Sequence, residues 1–288
     1  MTWRIVVISS ICKIDLKLNH LVIRGAELRR IHLSEIAVLI LENTAISLTA
    51  ALLSELSKRK IKVVFCDEKR NPYGELLPYY GSHDTTDKLR TQMGWSLETA
   101  GEVWAEIVKE KIRKQAALLH DCRQTKQAMM LESYIPEVQP HDKTNREGHA
   151  AKVYFNALYG LDFSRRGESA ANACMNYGYA ILLSAFNREI TAAGYFTQLG
   201  IFHDNTFNPF NLGSDLMEPF RPLIDKRVLD MDPVNLGPDE KRELVDILNL
   251  EVTIDGKNNY LLNAIRIYSR GFFEAMNTKD LTKLRFYE

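Results

Sequence analysis

The sequence is poor in the features that mark secreted, metal–sulfur and membrane proteins. Its 288 residues include four cysteines, which are dispersed and form no Cys-x-x-Cys pair. This arrangement favours buried reduced thiols over a disulfide framework or a zinc site. The apolar run near the N-terminus, residues 3–8, is too short for a signal peptide or a membrane span. We therefore expect a cytoplasmic protein that makes no use of a membrane.

An excess of charge of one sign is also absent, and so are the common catalytic motifs. Lysine plus arginine and aspartate plus glutamate number 37 each, so no global field favours nucleic acid, and a DNA-binding surface would have to be local. The sequence has no Walker A motif, no Gly-x-Gly-x-x-Gly, no Gly-x-Ser-x-Gly and no His-Glu-x-x-His. These absences argue against the usual ATPase, dinucleotide, serine-hydrolase and zinc-protease sites.

Two kinds of hydrophobic pattern divide the chain. Residues 13–18 alternate strictly, residues 37–41 form an apolar run typical of a strand covered on both faces, and residues 47–59 carry one helical stripe. A stretch with Pro78, Gly81 and Ser82 then precedes patterns that are helical nearly to the end, with a possible strand over residues 251–254. We predict an α+β fold, with a small N-terminal β-sandwich (residues 1–75) and a larger all-helical C-terminal domain (residues 76–288).

A basic run lies on the first long helix predicted in the second domain. It contains Lys109, Lys111, Arg113 and Lys114. Glutamates occur about one turn away along the same helix, where they can form ion pairs. The run therefore favours a solvated helix face over a DNA groove.

Candidate metal ligands occur in the stretch from His203 to Pro222. Asp215 and Glu218 have the spacing i, i+3, which places two carboxylates on one face if the segment is helical. Carboxylate oxygens with an imidazole suit a Mg²⁺- or Mn²⁺-type site. Taken singly, His203 could equally be a structural histidine, and Asp215 could cap a helix. Because proline is tolerated only in a first turn, either Glu218 caps a helix that begins at Pro219 or Asp215 starts a helix that bends there.

A third carboxylate comes from the helix predicted after residue 145, which Asp142 or Asn145 could cap. Glu147 begins the inward stripe of this helix, which continues with apolar residues three, four, seven and eleven positions later. An inward carboxylate costs several kcal/mol unless it is paired or binds a metal. The alternative is a surface glutamate that favours the helix dipole. With His203 and Glu218, Glu147 would leave open positions on a divalent ion, which suits phosphoryl transfer by water or by a nucleic acid 3′-hydroxyl.

Several sequence blocks resemble a known family. Residues 145–151 (NREGHAA), 176–180 (NYGYA) and 214–222 (SDLMEPFRP) look like the three signature blocks of CRISPR-associated protein 1, and residues 31–36 and 65–70 are similar to its type II-A members. The resemblance implies a CRISPR spacer-acquisition integrase with an N-terminal β-sandwich for dimerisation and a helical catalytic domain. It also implies a homodimer, two of which hold a dimer of CRISPR-associated protein 2.

The resemblance also implies the chemistry. The family's metal ligands carry over to Glu147, His203 and Glu218, which would bind Mg²⁺ or Mn²⁺. Asp215 matches a supporting acidic position, and many members have aspartate where this chain has Glu218. The implied reaction is metal-dependent transesterification, in which a 3′-hydroxyl of double-stranded protospacer DNA attacks the leader–repeat DNA of a CRISPR array.

The DNA contacts and the alternatives are less defined. Arg146, Arg221 and Lys226 flank the ligands and could contact phosphates, or could equally form salt bridges. A stand-alone metal-dependent nuclease of branched or single-stranded DNA in repair would use the same ligands with water as nucleophile. A non-catalytic DNA scaffold would use the carboxylates structurally.

Overall fold

The computed structural model describes residues 4–77 and 83–288. The chain divides into two compact units, one of Met1–Thr85 with Thr191–Gly194 and one of Thr86–Ile190 with Tyr195–Glu288. The domain limits drawn from the sequence, 1–75 and 76–288, stay a prediction, and Pro78, Gly81 and Ser82 lie outside the described residues. Across residues 4–77 and 83–288, no helix has the length and apolar character needed to cross a membrane.

The first unit contains two four-stranded sheets within residues 4–77. One has the strand order β1-β5-β7-β8 and the other the order β4-β3-β2-β6. The elements are β1 (Arg4–Ile8), β2 (Lys13–Lys17), β3 (His20–Arg24), β4 (Leu28–His32), β5 (Ile36–Leu41), β6 (Ser47–Leu48), α1 (Ala50–Lys58), β7 (Lys62–Cys66) and β8 (Pro72–Glu75).

Local sequence explains these sheets. Every residue of β5 is buried, because β5 pairs in parallel with β1 on one side and with β7 on the other. Leu18 and Asn19 both have positive φ, which is the backbone of a tight turn between the antiparallel strands β2 and β3. Side chains of both sheets meet in one hydrophobic core with α1, where Ile14, Leu39 and Leu52 are fully buried. The predicted β-sandwich is confirmed.

Beyond β8 the chain is mainly helical, as predicted. The helices are α2 (Thr85–Met93), α3 (Leu97–Asp121), α4 (Thr125–Tyr134), α5 (Arg146–Tyr159), α6 (Ala170–Ala192), α7 (Asn211–Leu216), α8 (Arg221–Met231), α9 (Pro238–Asp246) and α10 (Leu261–Thr278). The strand foreseen at residues 251–254 is also present. It forms β9 (Glu251–Ile254) and pairs antiparallel with β10 (Lys257–Tyr260), so the helical domain carries a small hairpin.

Helix α3 is the element around which the candidate site is arranged. Its 25 residues span about 37 Å, and the hydroxyl of Ser96 caps its first turn by accepting the N–H of Thr99 at 3.1 Å. Val103, Trp104 and Ile107 are among its fully buried residues. α3 packs against α4, α5, α7, α8 and α10, and it therefore borders the segments that carry the predicted ligands.

Candidate metal centre

Glu147 lies in the first turn of α5, and an aspartate fixes that turn. The carboxylate of Asp142 accepts the backbone N–H groups of Arg146 at 2.8 Å and Glu147 at 2.9 Å. Asn145 has a left-handed backbone and makes no side-chain cap bond. Of the two caps that the sequence allowed, Asp142 is therefore the one used, and it ties the backbone of Glu147 in place.

The chain bends at Pro219. α7 ends at Leu216, a 3₁₀ turn covers Glu218–Phe220, and α8 begins at Arg221. Neither sequence interpretation is met in full, because α7 begins at Asn211, ahead of Asp215, and Pro219 lies in the 3₁₀ turn between two helices. The carbonyl of Pro219 accepts the hydroxyl of Tyr287 at 3.2 Å. Since the turn points Glu218 inward, this side chain is only 3% exposed.

Asp215 accepts hydrogen bonds from the backbone and the ring of His203. It is 0% exposed, and its carboxylate accepts the N–H groups of Ile201 at 2.6 Å, Phe202 at 3.2 Å and His203 at 3.0 Å. The Nδ1–H of His203 donates to the same carboxylate at 2.6 Å. Asp215 therefore fixes the loop and the tautomer of the imidazole, and it leaves Nε2 as the nitrogen able to bind another group.

Close packing holds the loop before His203. A Cβ atom at Gly200 would clash with the backbone carbonyl of His203 and lie 2.7 Å from Oδ2 of Asp215, so a larger residue cannot occupy this position without moving the loop or the carboxylate. The ring of Phe202 stacks on Trp104 at 4.3 Å, and the edge of His203 faces Trp104 at 5.8 Å. Burial opposes protonation of His203, but the hydrogen bond and charge of Asp215 outweigh it, so the pKa of His203 is raised.

Lys111 corrects the sequence interpretation of the basic run. This residue is 6% exposed rather than solvated. Its ammonium group donates to Oε1 of Glu147 and, at 2.5 Å, to Oε2 of Glu218. Lys111 follows Trp104 and Ile107 by seven and four positions, so the helical period places it on the inward stripe. This spacing is the sequence signal that could have identified Lys111 as an inward-facing residue.

A second cation completes the cluster. Arg221 contacts Oε1 of Glu218 at 2.9 Å, and the formal charges of Lys111, Arg221, Glu147 and Glu218 cancel. Burial alone would raise the pKa of Glu218, but Arg221 and Lys111 outweigh it, so the pKa is lowered. Burial alone would lower the pKa of Lys111, but the charges of Glu218 and Glu147 outweigh it, so the pKa is raised. The cluster is ionic and balanced.

The three predicted ligands, Glu147, His203 and Glu218, have the chemistry of a metal site. Among the described residues, no three His, Cys, Asp or Glu side chains are arranged as a metal site. Two of the three predicted ligands, Glu147 and Glu218, nevertheless converge on one cation, the ammonium of Lys111. His203 has the carboxylate partner on Nδ1 that metal-binding histidines usually have. The residue types therefore fit Mg²⁺ or Mn²⁺, and Lys111 lies between the carboxylates.

The three predicted DNA contacts are each paired with a carboxylate. Arg146 pairs with Glu137 at 2.5 Å, Arg221 with Glu218, and Lys226 with Asp121 at 2.9 Å. The Lys226 pair is solvent-exposed, and exposed pairs are weak and easily exchanged. Arg221 holds Glu218 in place, and contacts of all three residues with phosphate stay a prediction.

A buried Tyr–Asp–Tyr cluster was missed by the sequence reasoning. The hydroxyls of Tyr154 (3.1 Å) and Tyr179 both donate to Asp225, and Arg221 lies 4.7 Å from the ring centroid of Tyr179. Burial raises the pKa of Asp225 to about 6 although both hydroxyls oppose the shift. The cluster joins α5, α6 and α8 beside Arg221.

The comparisons with known proteins agree with one another. The family model described as CRISPR associated protein Cas1 matches residues 5–232. A CRISPR-associated endonuclease Cas1 of Neisseria meningitidis serogroup C is 34% identical over 294 residues, which cover 100% of this chain and 97% of the relative.

Solved structures show the same fold. A casposase bound to integration product has a TM-score of 0.78 at 20% identity, with 97% of this chain and 92% of that chain covered. A chain of a Cas6-RT-Cas1--Cas2 complex has a TM-score of 0.74 at 17% identity, with 98% of this chain and 36% of that longer chain covered.

Proposed function

The chain belongs to the CRISPR associated protein Cas1 family, and we propose that it is a DNA integrase of CRISPR adaptation. It joins the 3′-hydroxyl ends of double-stranded protospacer DNA to the leader–repeat DNA of a CRISPR array. The observation that carries this proposal is the meeting of Glu147 and Glu218 on a single cation, in a chain that also fixes His203 through a buried aspartate. Such a donor set is suited to phosphoryl transfer.

We assign the metal centre to three residues. Glu147, Glu218 and Nε2 of His203 would hold Mg²⁺ or Mn²⁺. When bound, such an ion stabilises charge on a phosphate and lowers the pKa of an attacking hydroxyl group. Glutamate at position 218 has a longer side chain than the aspartate of many members, and its contact with Arg221 limits the freedom that this length would give.

The remaining residues of the centre position these groups. Asp215 sets the ring orientation and tautomer of His203. Asp142 anchors the first turn of α5 below Glu147. Trp104 and Phe202 cover the imidazole with apolar surface, so that water has less access to that side. Preorganisation of this kind contributes to catalysis because the groups need not be reoriented during the reaction.

The proposed assembly follows from a structural neighbour. One structural neighbour is a chain of a complex that contains a protein named Cas2. By analogy, this chain forms a homodimer, and two such dimers bind a dimer of CRISPR-associated protein 2 in the cytoplasm. Light scattering tests this stoichiometry, because it measures the mass in solution of the purified chain alone and of the chain mixed with CRISPR-associated protein 2.

A strand-transfer assay tests the activity. Duplex DNA with a labelled 3′-hydroxyl end is incubated with a plasmid that carries a leader and repeat, with Mg²⁺ or Mn²⁺. Ligated branched products should form with the wild type and disappear in Glu147→Ala, His203→Ala and Glu218→Ala. Glu132→Ala is the matched control, because Glu132 is exposed and pairs with His120 away from the centre.

Two results would contradict the proposal. Full strand transfer in any of the three variants, or undiminished activity in a chelator, would exclude the assigned centre. Cleaved ends without ligated products would instead identify the stand-alone nuclease, which uses water as nucleophile.

A further inference from the structure

We propose that Lys111 is a displaceable cation of the metal centre. In the metal-free protein its ammonium group holds Glu147 and Glu218 together, and it withdraws from them when a divalent ion binds. This inference rests on the proposed function, because it takes these two carboxylates as metal ligands.

The contacts of Lys111 differ from those of its neighbours on α3. Lys109 pairs with Glu106, and Arg113 and Lys114 pair with Glu110, all within the same helix. Lys114 also donates to the carbonyl of Tyr287, but within the described part of the chain none of the three contacts a carboxylate outside α3. Lys111 instead reaches two other segments, the first turn of α5 and the 3₁₀ turn at Glu218. Its position is therefore defined by the two proposed ligands and not by the charge pattern of its own helix.

Charge balance favours the departure of one of the two cations when a divalent ion binds. Lys111 and Arg221 together neutralise Glu147 and Glu218 in a largely buried cluster. The buried carboxylate of Asp215, which contacts His203, adds one more negative charge to this centre. A divalent ion bound there would leave a net charge of +1 if both cations stayed and of 0 if one of them left. Like charges a few ångströms apart in a buried setting repel strongly. The ion therefore replaces a cation instead of adding to the cluster.

Of the two cations, Lys111 is the one suited to leave. Arg221 binds Oε1 of Glu218 and lies against the Tyr179 ring, and its planar group is fixed by both contacts. Lys111 is a point charge on a flexible stem, and it occupies Oε2 of Glu218 and Oε1 of Glu147. The side chain of Glu147 is 30% exposed, so solvent and ions reach the cluster from that side.

Titration of the purified full-length chain with Mn²⁺ alone, followed by calorimetry, tests the inference without any activity measurement. Lys111→Met should tighten Mn²⁺ binding about tenfold or more, since the ion no longer displaces a charge-assisted hydrogen bond. In metal-free buffer the same variant should melt at a lower temperature than the wild type, and Mn²⁺ should raise its melting temperature by more than it raises that of the wild type.

Three further variants keep the test specific. Lys109→Met is the matched control on α3 and should bind Mn²⁺ as the wild type does. Lys111→Arg keeps the positive charge and should not tighten binding. Lys111→Gln is neutral and polar, and it should tighten binding like Lys111→Met, which provides a second neutral variant if the methionine protein does not fold.

The outcomes separate this inference from the proposed function. If Mn²⁺ binding requires Glu147 and Glu218 but Lys111→Met and Lys111→Gln bind no tighter than the wild type, Lys111 is not displaced and the inference is wrong. If Glu147→Gln binds Mn²⁺ as well as the wild type does, the assigned metal centre is itself wrong. Tighter binding in both neutral variants, together with its loss in Glu147→Gln, supports both.

Discussion

Replacement of Asp215 by asparagine should destabilise the protein more than the loss of a single hydrogen bond. The carboxylate is fully buried and accepts three backbone N–H groups and the ring N–H of His203. Asparagine keeps one acceptor oxygen but places an NH₂ group against these donors. Hydrogen bonds to charged groups contribute about 1.5–3 kcal/mol each, and a buried donor left without a partner costs about 1–3 kcal/mol.

We therefore expect Asp215→Asn to lose about 3–5 kcal/mol of unfolding free energy and to lose strand transfer as well. Urea denaturation followed by circular dichroism measures the first quantity. Asp204→Asn is the matched control, because Asp204 is an exposed neighbour on the same loop and should change stability by no more than about 0.5 kcal/mol. An unfolding free energy of Asp215→Asn within about 1 kcal/mol of the wild-type value would refute the reasoning. Four hydrogen bonds to one buried carboxylate, if they are made, should contribute more than that.

Three other predictions concern pH, packing and DNA. Burial raises the pKa of Asp225 to about 6 in the folded protein, above the ordinary value of an aspartate, so the folded state binds the proton more tightly than the unfolded state. Stability should therefore fall by up to about 3 kcal/mol as pH rises from about 4 to above 6. Asp225→Asn should lack this slope in urea denaturation, and an unchanged slope would contradict the assignment. Gly200→Ala should lose about 1–3 kcal/mol through crowding of the His203 carbonyl and the Asp215 carboxylate. Gly74→Ala, with nothing within 4 Å of its Cβ position, should not crowd a neighbour, and equal melting temperatures of the two variants would exclude the crowding. Lys226→Ala should change the unfolding free energy by less than about 1 kcal/mol. If Lys226 contacts one phosphate, the slope of log DNA affinity against log salt concentration should become shallower by about 0.9 in this variant. An unchanged slope would exclude the contact.

Local patterns predicted the elements of the fold well. The unbroken apolar run at residues 37–41 is buried on both sides in β5, and the alternation at residues 13–18 ends in the turn at Leu18 and Asn19. Both features are determined by residues that are close together in the sequence, so they could be predicted from the sequence alone. The hairpin of β9 and β10 was half foreseen, since only its first strand was identified.

Sequence patterns singled out Glu147, His203 and Glu218 as candidate donors, which stay a prediction, and Arg221 as a flanking cation, but they did not single out Lys111 as part of the site. Glu147 could be placed on an inward stripe because the helical period is local. Lys111 could not be connected to Glu147 and Glu218, because these residues come from segments 36 and 107 positions away. The Lys111 interpretation also failed because a run of basic residues was taken as one face, although the helical period separates its members. Asp225 was not singled out, since nothing in its local sequence indicates the two tyrosines that bind it.

The central claim is that Glu147, His203 and Glu218 form one metal centre, and a crystal soaked in Mn²⁺ tests it most directly. Anomalous scattering locates the ion independently of any assumption about its ligands. We expect one Mn²⁺ within about 2.0–2.6 Å of both carboxylates and of Nε2 of His203, with the ammonium of Lys111 moved away from both glutamates. A Mn²⁺ peak elsewhere, or crystals that bind no Mn²⁺ while Lys111 still joins Glu147 to Glu218, would contradict the account.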